Sequence, residues 1–275
     1  MIEKENNKEK LKDYLFISFF ICLILIGMLL VLSPWLKNVM IKEATVKYSL
    51  DKFTAEEVAN NQESAEEVPW DSAIEAPNFT TVLTSISKVN QKDVLGAISI
   101  DDVDILLPIL NGTNTQNLLV GATTVNEGQI MGEGNYVLAG HHMRNHTLLF
   151  GPLLEVEVGT FIQITDKANI YTYQVVDKKI VKETNLSIVG KTTVPTVTLI
   201  TCDVAGINTN KRLVIRGELM NTSSYSADNE YVNMYKLQEE KEGRQSYSII
   251  SWSILLIGLV ILFVYGMYIY KGRKI

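Results

Sequence analysis

Three residues at the ends of apolar runs have the types needed for acyl transfer. Cys202 closes the run Val197-Thr-Leu-Ile-Thr-Cys, and His141 closes Tyr136-Val-Leu-Ala-Gly-His. Arg212 opens a third run, Lys211-Arg-Leu-Val-Ile-Arg-Gly-Glu-Leu. A thiol is a strong nucleophile once it reaches the thiolate form, from an ordinary pKa of ~8.5. An imidazole can hand a proton to a leaving amine near neutral pH. A guanidinium stays charged and donates in a fork, which suits a developing oxyanion.

Each group has a plainer explanation. Cys202 could be a buried small hydrophobe, which is common for cysteine, and spacing alone leaves that open. The histidines cluster as His141-His142-Met-Arg-Asn-His146, and these are all three in the chain. A metal site is the first rival. Neighbours on a strand point to opposite faces, so His141 and His142 would not both face one ion. No HExxH helix or cysteine pair accompanies them, so no metal is expected. The second cysteine, Cys22, lies inside an apolar run, so a disulfide to Cys202 is implausible if that run sits in lipid.

The elements that must position these groups are strands. Val, Thr, Leu and Ile around Cys202 suit a pleated, half-buried strand. Catalytic groups at strand ends are held by a rigid scaffold and exposed by the loop that follows. Ala139, Ile200 and Val214 each stand two residues from one of the three groups. Along a strand that puts them on the same face, as apolar groove walls.

Strand signals recur from Asp93 to Met220. Val94–Ile100 and Val103–Ile109 form a hairpin about Asp101-Asp102, and Thr160–Thr165 and Ile170–Val176 form another about 166–169. Lys179–Lys182 continues the second of these past a bend. With Tyr136–Gly140, Val197–Thr201 and Leu213–Leu219 this makes seven or eight short strands, which suggests a closed antiparallel barrel or sandwich. Before the strands, Thr54-Ala-Glu-Glu57 fits a capping box, and Asn78 caps a second helix toward Val89.

The chain has 275 residues, 47% of them hydrophobic, and a formal charge of −6. That charge argues against a general nucleic-acid binder. Two uncharged runs raise the apolar content. Residues 15–36 are long enough to span a bilayer, and Ser33-Pro34-Trp35 is a poor signal-peptidase site, so an uncleaved anchor is expected. Residues 249–270 read as a second span. Lysines outside both spans place residues 1–14 and 271–275 in the cytoplasm. Between them lie an acidic, partly helical stalk at 37–90, a catalytic region at 91–220 and a polar tether at 221–248. The expected location is the cell membrane, two-pass, with the catalytic domain outside.

In combination the motifs Leu-Ala-Gly-His141-His142, Thr-Leu-Ile-Thr-Cys202 and Lys-Arg212-Leu-Val-Ile-Arg-Gly are specific. With the lead Met131-Gly-Glu-Gly-Asn-Tyr136 they resemble a sortase, a membrane-anchored cysteine transpeptidase of Gram-positive bacteria. The resemblance covers about residues 90–220. It implies an eight-stranded β-barrel, with Cys202 as nucleophile, His141 as general acid/base and Arg212 as the oxyanion or positioning residue. It also implies that Thr201 contacts substrate or oxyanion and that His142 assists. The implied reaction cleaves an LPxTG-type sorting signal between Thr and Gly. The acyl group then passes to an amine of a lipid II-type peptidoglycan precursor.

The motif context resembles class A. The second apolar run and Gly206-Ile-Asn-Thr resemble class C, the pilus polymerases, which use a pilin lysine as acceptor. Pro69-Trp70-Asp71 is a poor match to the lid of that class. Some relatives bind calcium in acidic barrel loops. Asn111–Asn117 and Thr123–Glu133 hold few carboxylates, so no calcium and no other cofactor is expected. A papain-like hydrolase would carry its cysteine before its histidine, the reverse of the order here. A non-enzymatic membrane adaptor would need no such set, and an inert Cys202 would mark one.

Overall fold

Eight strands close into a barrel in the computed structural model, in the order β1-β2-β3-β4-β7-β8-β6-β5. The structure describes residues 2–66, 76–204 and 209–226. The strands are β1 (Val94–Ile100), β2 (Ile105–Leu110), β3 (Ala122–Thr124) and β4 (Asn135–Ala139). They continue as β5 (Phe161–Thr165), β6 (Asn169–Lys182), β7 (Thr196–Cys202) and β8 (Lys211–Ser224). The expected second span at 249–270, the Pro69–Asp71 stretch and Gly206 lie outside the described residues.

The hairpins form where the turn residues predict them. Asp104 takes the left-handed conformation (φ 53°) that ends the 101–103 turn. Asp166 accepts from the backbone N–H groups of Ala168 and Asn169 at 2.9 and 2.7 Å and turns β5 into β6. β6 bends at a register shift between Val175 and Asp177, so the Lys179–Lys182 run is its second half. The eighth strand is instead the three-residue β3. β8 runs to Ser224, beyond the Met220 at which the polar run begins, because β6 pairs with it back to Asn169.

Two strand pairs are parallel, β2 with β3 and β4 with β7. The second matters most, because parallel partners end at the same edge of the sheet. Leu138, Leu199 and Ile215 lie side by side across β4, β7 and β8, and each is fully buried. Burying each side chain is worth about 2–3 kcal/mol. This row of the barrel interior fixes the three strands that carry the candidate groups.

The helices are α1 (Ile2–Lys47), α2 (Ala55–Glu63) and α3 (Phe79–Ser85). Thr54 and Glu57 form the expected capping box on α2, and Asn78 Oδ1 accepts from Thr81 N–H at 2.8 Å to open α3. α1 continues well past residue 36, where the sequence placed the start of the stalk. Pro34 lies inside it. Proline has no N–H for the carbonyl one turn back. The Ser33 hydroxyl donates to that carbonyl, Leu30 O, at 2.9 Å and so replaces the lost bond.

α1 has two different halves. Its stretch from Ser18 is long and apolar enough to cross a membrane, and most of its large side chains from Phe19 to Val31 are exposed. Further on, Ile41, Ala44 and the adjoining Tyr48 are buried against the rest of the molecule. Thr45 Oγ1 donates to Val120 O at 2.7 Å, and the Tyr48 hydroxyl donates to Val89 O at 2.9 Å.

Candidate active site

Strand register brings the three candidate groups together. β4 and β7 pair in parallel, with Ala139 level with Ile200. One residue on, Gly140 N–H donates to Ile200 O at 3.1 Å. His141 therefore leaves β4 at the edge where β7 ends in Cys202. β7 and β8 pair antiparallel with Cys202 directly opposite Arg212. Opposed residues on one face have Cβ atoms about 5 Å apart. Residues distant in sequence thus meet at one sheet edge.

His141, Cys202 and Arg212 all line a cleft of about 330 Å³. Ala139, Ile200, Thr201 and His142 line it too. Val214 does not. It shares the register row and face of Ile200 but is buried (1% exposed), a strand farther from β4 and flanked by both β7 and β6. It shares the face that counting by twos along β8 implies, but lies outside the lining of this cleft. The opposite wall comes from residues the motif reading passed over, Leu186, Ile188 and Val189, in a 3-10 turn between β6 and β7. An apolar trio inside the polar stretch 183–192 was the available signal.

The backbone around His141 is held tightly. Phe150 N–H donates to His141 O at 3.1 Å, and Thr201 Oγ1 donates to Gly140 O at 2.7 Å. The Thr201 hydroxyl therefore ties β7 to β4. Gly140 itself has no room for a side chain, since a Cβ there would lie 2.6 Å from the Phe150 ring. Any larger residue would push Phe150 or the strand end that carries His141.

Electrostatics leave the thiol and the imidazole neutral. Burial, followed by the nearby Lys37 cation, pulls His141 down to about 4. Burial pushes the Cys202 thiol up, and the Arg212 cation partly opposes this while Asp203 and Glu183 add to it. Arg212 donates through Nη1 to Thr209 O and Lys211 O at 2.5 and 2.9 Å. Its Nη2 pairs with Glu183 Oε2 at 2.8 Å. The fork is thus held beside the thiol by its own loop and by one carboxylate. Arg216 lies elsewhere, donating to Ile188 O at 3.3 Å.

His142 has a different job from His141. Its Nδ1 lies 2.9 Å from Cys202 O, and a carbonyl can only accept, so Nδ1 carries the hydrogen. Among the described residues its Nε2 has no partner. His142 thus fixes the backbone of the nucleophile candidate. Among the described residues no group of three or more His, Cys, Asp or Glu side chains gathers in a metal-binding arrangement.

Relatives carry the same barrel. A family model described as the sortase domain matches residues 98–220. Sortase A of Listeria monocytogenes serovar 1/2a is 38% identical over 208 residues, covering 76% of this chain and 93% of the relative. Sortase A of Streptococcus agalactiae serotype III is 29% identical over 235 residues, 82% of this chain and 94% of the relative. The crystal structure of Listeria monocytogenes sortase A superposes with a TM-score of 0.50 at 45% identity. The match covers 52% of this chain and 97% of that one. With the barrel, the motif residues and near full-length relatives in agreement, the chain belongs to the sortase family of transpeptidases.

Proposed function

We propose that this sortase cleaves an LPxTG-type sorting signal between Thr and Gly through a thioacyl bond to Cys202. The observation that carries this is the cleft, which gathers Cys202, Arg212 and His141 at one edge of three paired strands. The signal lies along Ala139 and Ile200, facing Leu186 and Ile188. The sulfur attacks the Thr carbonyl as its proton passes to His141. Arg212 stabilises the oxyanion. His141 then returns the proton to the departing Gly amine, and the C–N bond breaks. An amine of a lipid II-type peptidoglycan precursor attacks the thioester, its proton passes through His141 to the leaving sulfur, and the C–S bond breaks as the new amide forms, which frees Cys202. The family implies cell-wall sorting signals as substrates, and the names of the relatives favour the class A reading. α1 anchors the enzyme to the cell membrane by its apolar half.

The test is direct. The full chain in detergent micelles is incubated with a quenched LPETG peptide and triglycine, and products are read by mass spectrometry. An LPET-triglycine product is expected. Cleavage without ligation would shift the acceptor to another amine, such as a pilin lysine. No reaction, with Cys202 still open to alkylation, would refute the signal.

A pH prediction follows from the two shifted groups. His141 gains its proton only as pH falls through about 4, so it remains an acceptor at all higher pH. The Cys202 thiol loses its proton above the ordinary thiol range of ~8.5. The plateau of kcat/KM should therefore be broad, flat within about twofold from pH ~5.5 to ~8. A narrow bell with limbs near pH 6 and 8 would contradict this electrostatic picture.

A further inference from the structure

The cleft face of β4, β7 and β8 is built in rows. Cys202 and Arg212 form one row, Ala139, Ile200 and Val214 the next, and Val137, Thr198 and Arg216 a third. The third row does no chemistry, yet two of its three residues, Thr198 and Arg216, are polar. Thr198 is fully buried, and Asn135, on the same face of β4, is 7% exposed. What covers them is the 3-10 turn Leu186–Val189, the apolar wall of the cleft.

That turn has no strand partner for its last carbonyls, and side-chain amides take their place. Asn135 Nδ2 donates to Ile188 O at 3.1 Å and to Gly190 O at 2.8 Å. Asn126 Nδ2 donates to Val189 O between them at 2.9 Å. Three successive carbonyls are thus held from the barrel side. The Asn135 amide is itself aimed, because its Oδ1 accepts from the Thr198 hydroxyl at 2.6 Å. Arg216 adds a further donor to Ile188 O. Asn126 is also set, since its backbone N–H donates to Gln129 Oε1 at 3.2 Å. Gln129 in turn brackets Val137 through both its backbone groups.

We propose that Asn135 is a positioning residue for the sorting signal. It locks the Leu186–Val189 wall in its receptive shape before substrate arrives, with Asn126 as its second clamp. This rests on the reading of the cleft as the signal's binding site. A wall already ordered spares the peptide the entropy of fixing it, so the clamp acts on binding rather than on the bond-breaking step. Cys202, His141 and Arg212 make none of these contacts.

The isosteric variant Asn135→Asp separates this from a general packing role. It can still accept from Thr198 but cannot donate to Ile188 or Gly190. Two readouts are made on the full chain in micelles. The first needs no substrate: hydrogen exchange over residues 183–191 should quicken about tenfold as the turn is released. The second uses the quenched LPETG peptide. KM should rise about tenfold while kcat stays within about threefold, since only ground-state and transition-state binding alike are lost. Unchanged KM in a folded variant, or a fall in kcat with KM unchanged, overturns the proposal. If Asn135→Asp does not fold, Asn126→Ala in the half-buried loop should raise KM about threefold, and an unchanged KM there overturns it equally. If the wild-type chain does not turn over the peptide, that failure belongs to the substrate reading. The exchange measurement then decides alone, with unchanged protection over 183–191 the overturning result.

Discussion

Cys202→Ala is expected to remove sorting-peptide ligation by a factor on the order of 10⁴ or more, because Cys202 is the one thiol among the described residues lining the cleft. The fold should survive. The side chain stands half-exposed on the cleft face at the last residue of β7, outside the Leu138, Leu199 and Ile215 row. Its thermal midpoint should therefore stay within a few degrees of wild type. Cys202→Ser should lose almost as much. A hydroxyl is far less acidic than a thiol, and a neutral imidazole held near 4 is a weak base for it. Ligation by the alanine variant above about one per cent of wild type would sink the thioacyl mechanism.

The second large effect concerns Arg212 and its partner Glu183. Arg212→Ala should lower kcat/KM by about 10²–10³, the usual cost of losing one oxyanion donor. It should also move the alkylation midpoint of Cys202 upward, because the guanidinium is what opposes the burial of the thiol. Arg212→Lys keeps the charge and loses the fork, so it should restore the alkylation midpoint better than the turnover. Glu183→Gln points the other way. It reduces the 2.8 Å ion pair of Nη2 to at most a neutral hydrogen bond and removes a negative charge that raises the Cys202 pKa. Its kcat/KM should equal or exceed that of wild type, with a lower alkylation midpoint. An Arg212→Ala enzyme within threefold of wild type would assign the oxyanion to other donors.

Much of this site was legible in the sequence because each group ends a run with strand periodicity. Tyr136–His141 and Val197–Cys202 are apolar enough to be read as strands, and both end in a candidate group. Their parallel pairing, which brings the two ends together, has no signature in either segment. β3 was unreadable for a related reason: three residues are too few to show a period, and Thr123 looks like loop. The run of α1 past residue 36 was not legible because nothing in the polar stretch after Leu36 marks a helix, and at Pro34 the Ser33 hydroxyl takes up the Leu30 carbonyl. That Val214 lies outside the cleft lining could not be read, because a face can be counted along one strand, while exposure depends on the strands at either side. The Leu186–Val189 wall was missed because its order comes from Asn126 and Asn135, more than forty residues earlier in the chain.

The path of α1 bears on where the proposed reaction would happen. Lys37 follows the apolar stretch directly. It donates to Pro77 O at 3.1 Å, next to Ala76 on the rim of the candidate cleft, and its charge reaches His141. With the apolar half of α1 in a bilayer, Lys37 and the cleft rim beside it would lie at the headgroup layer. The chemistry of the cleft is then confined to a thin layer at the surface. A substrate or amine acceptor tethered to the same membrane meets the thioester in two dimensions, at an effective local concentration that reaches the millimolar range for short tethers. Water and free amines in bulk solution gain no such advantage. The height of the anchor, as much as the shape of the cleft, would then favour transfer over hydrolysis.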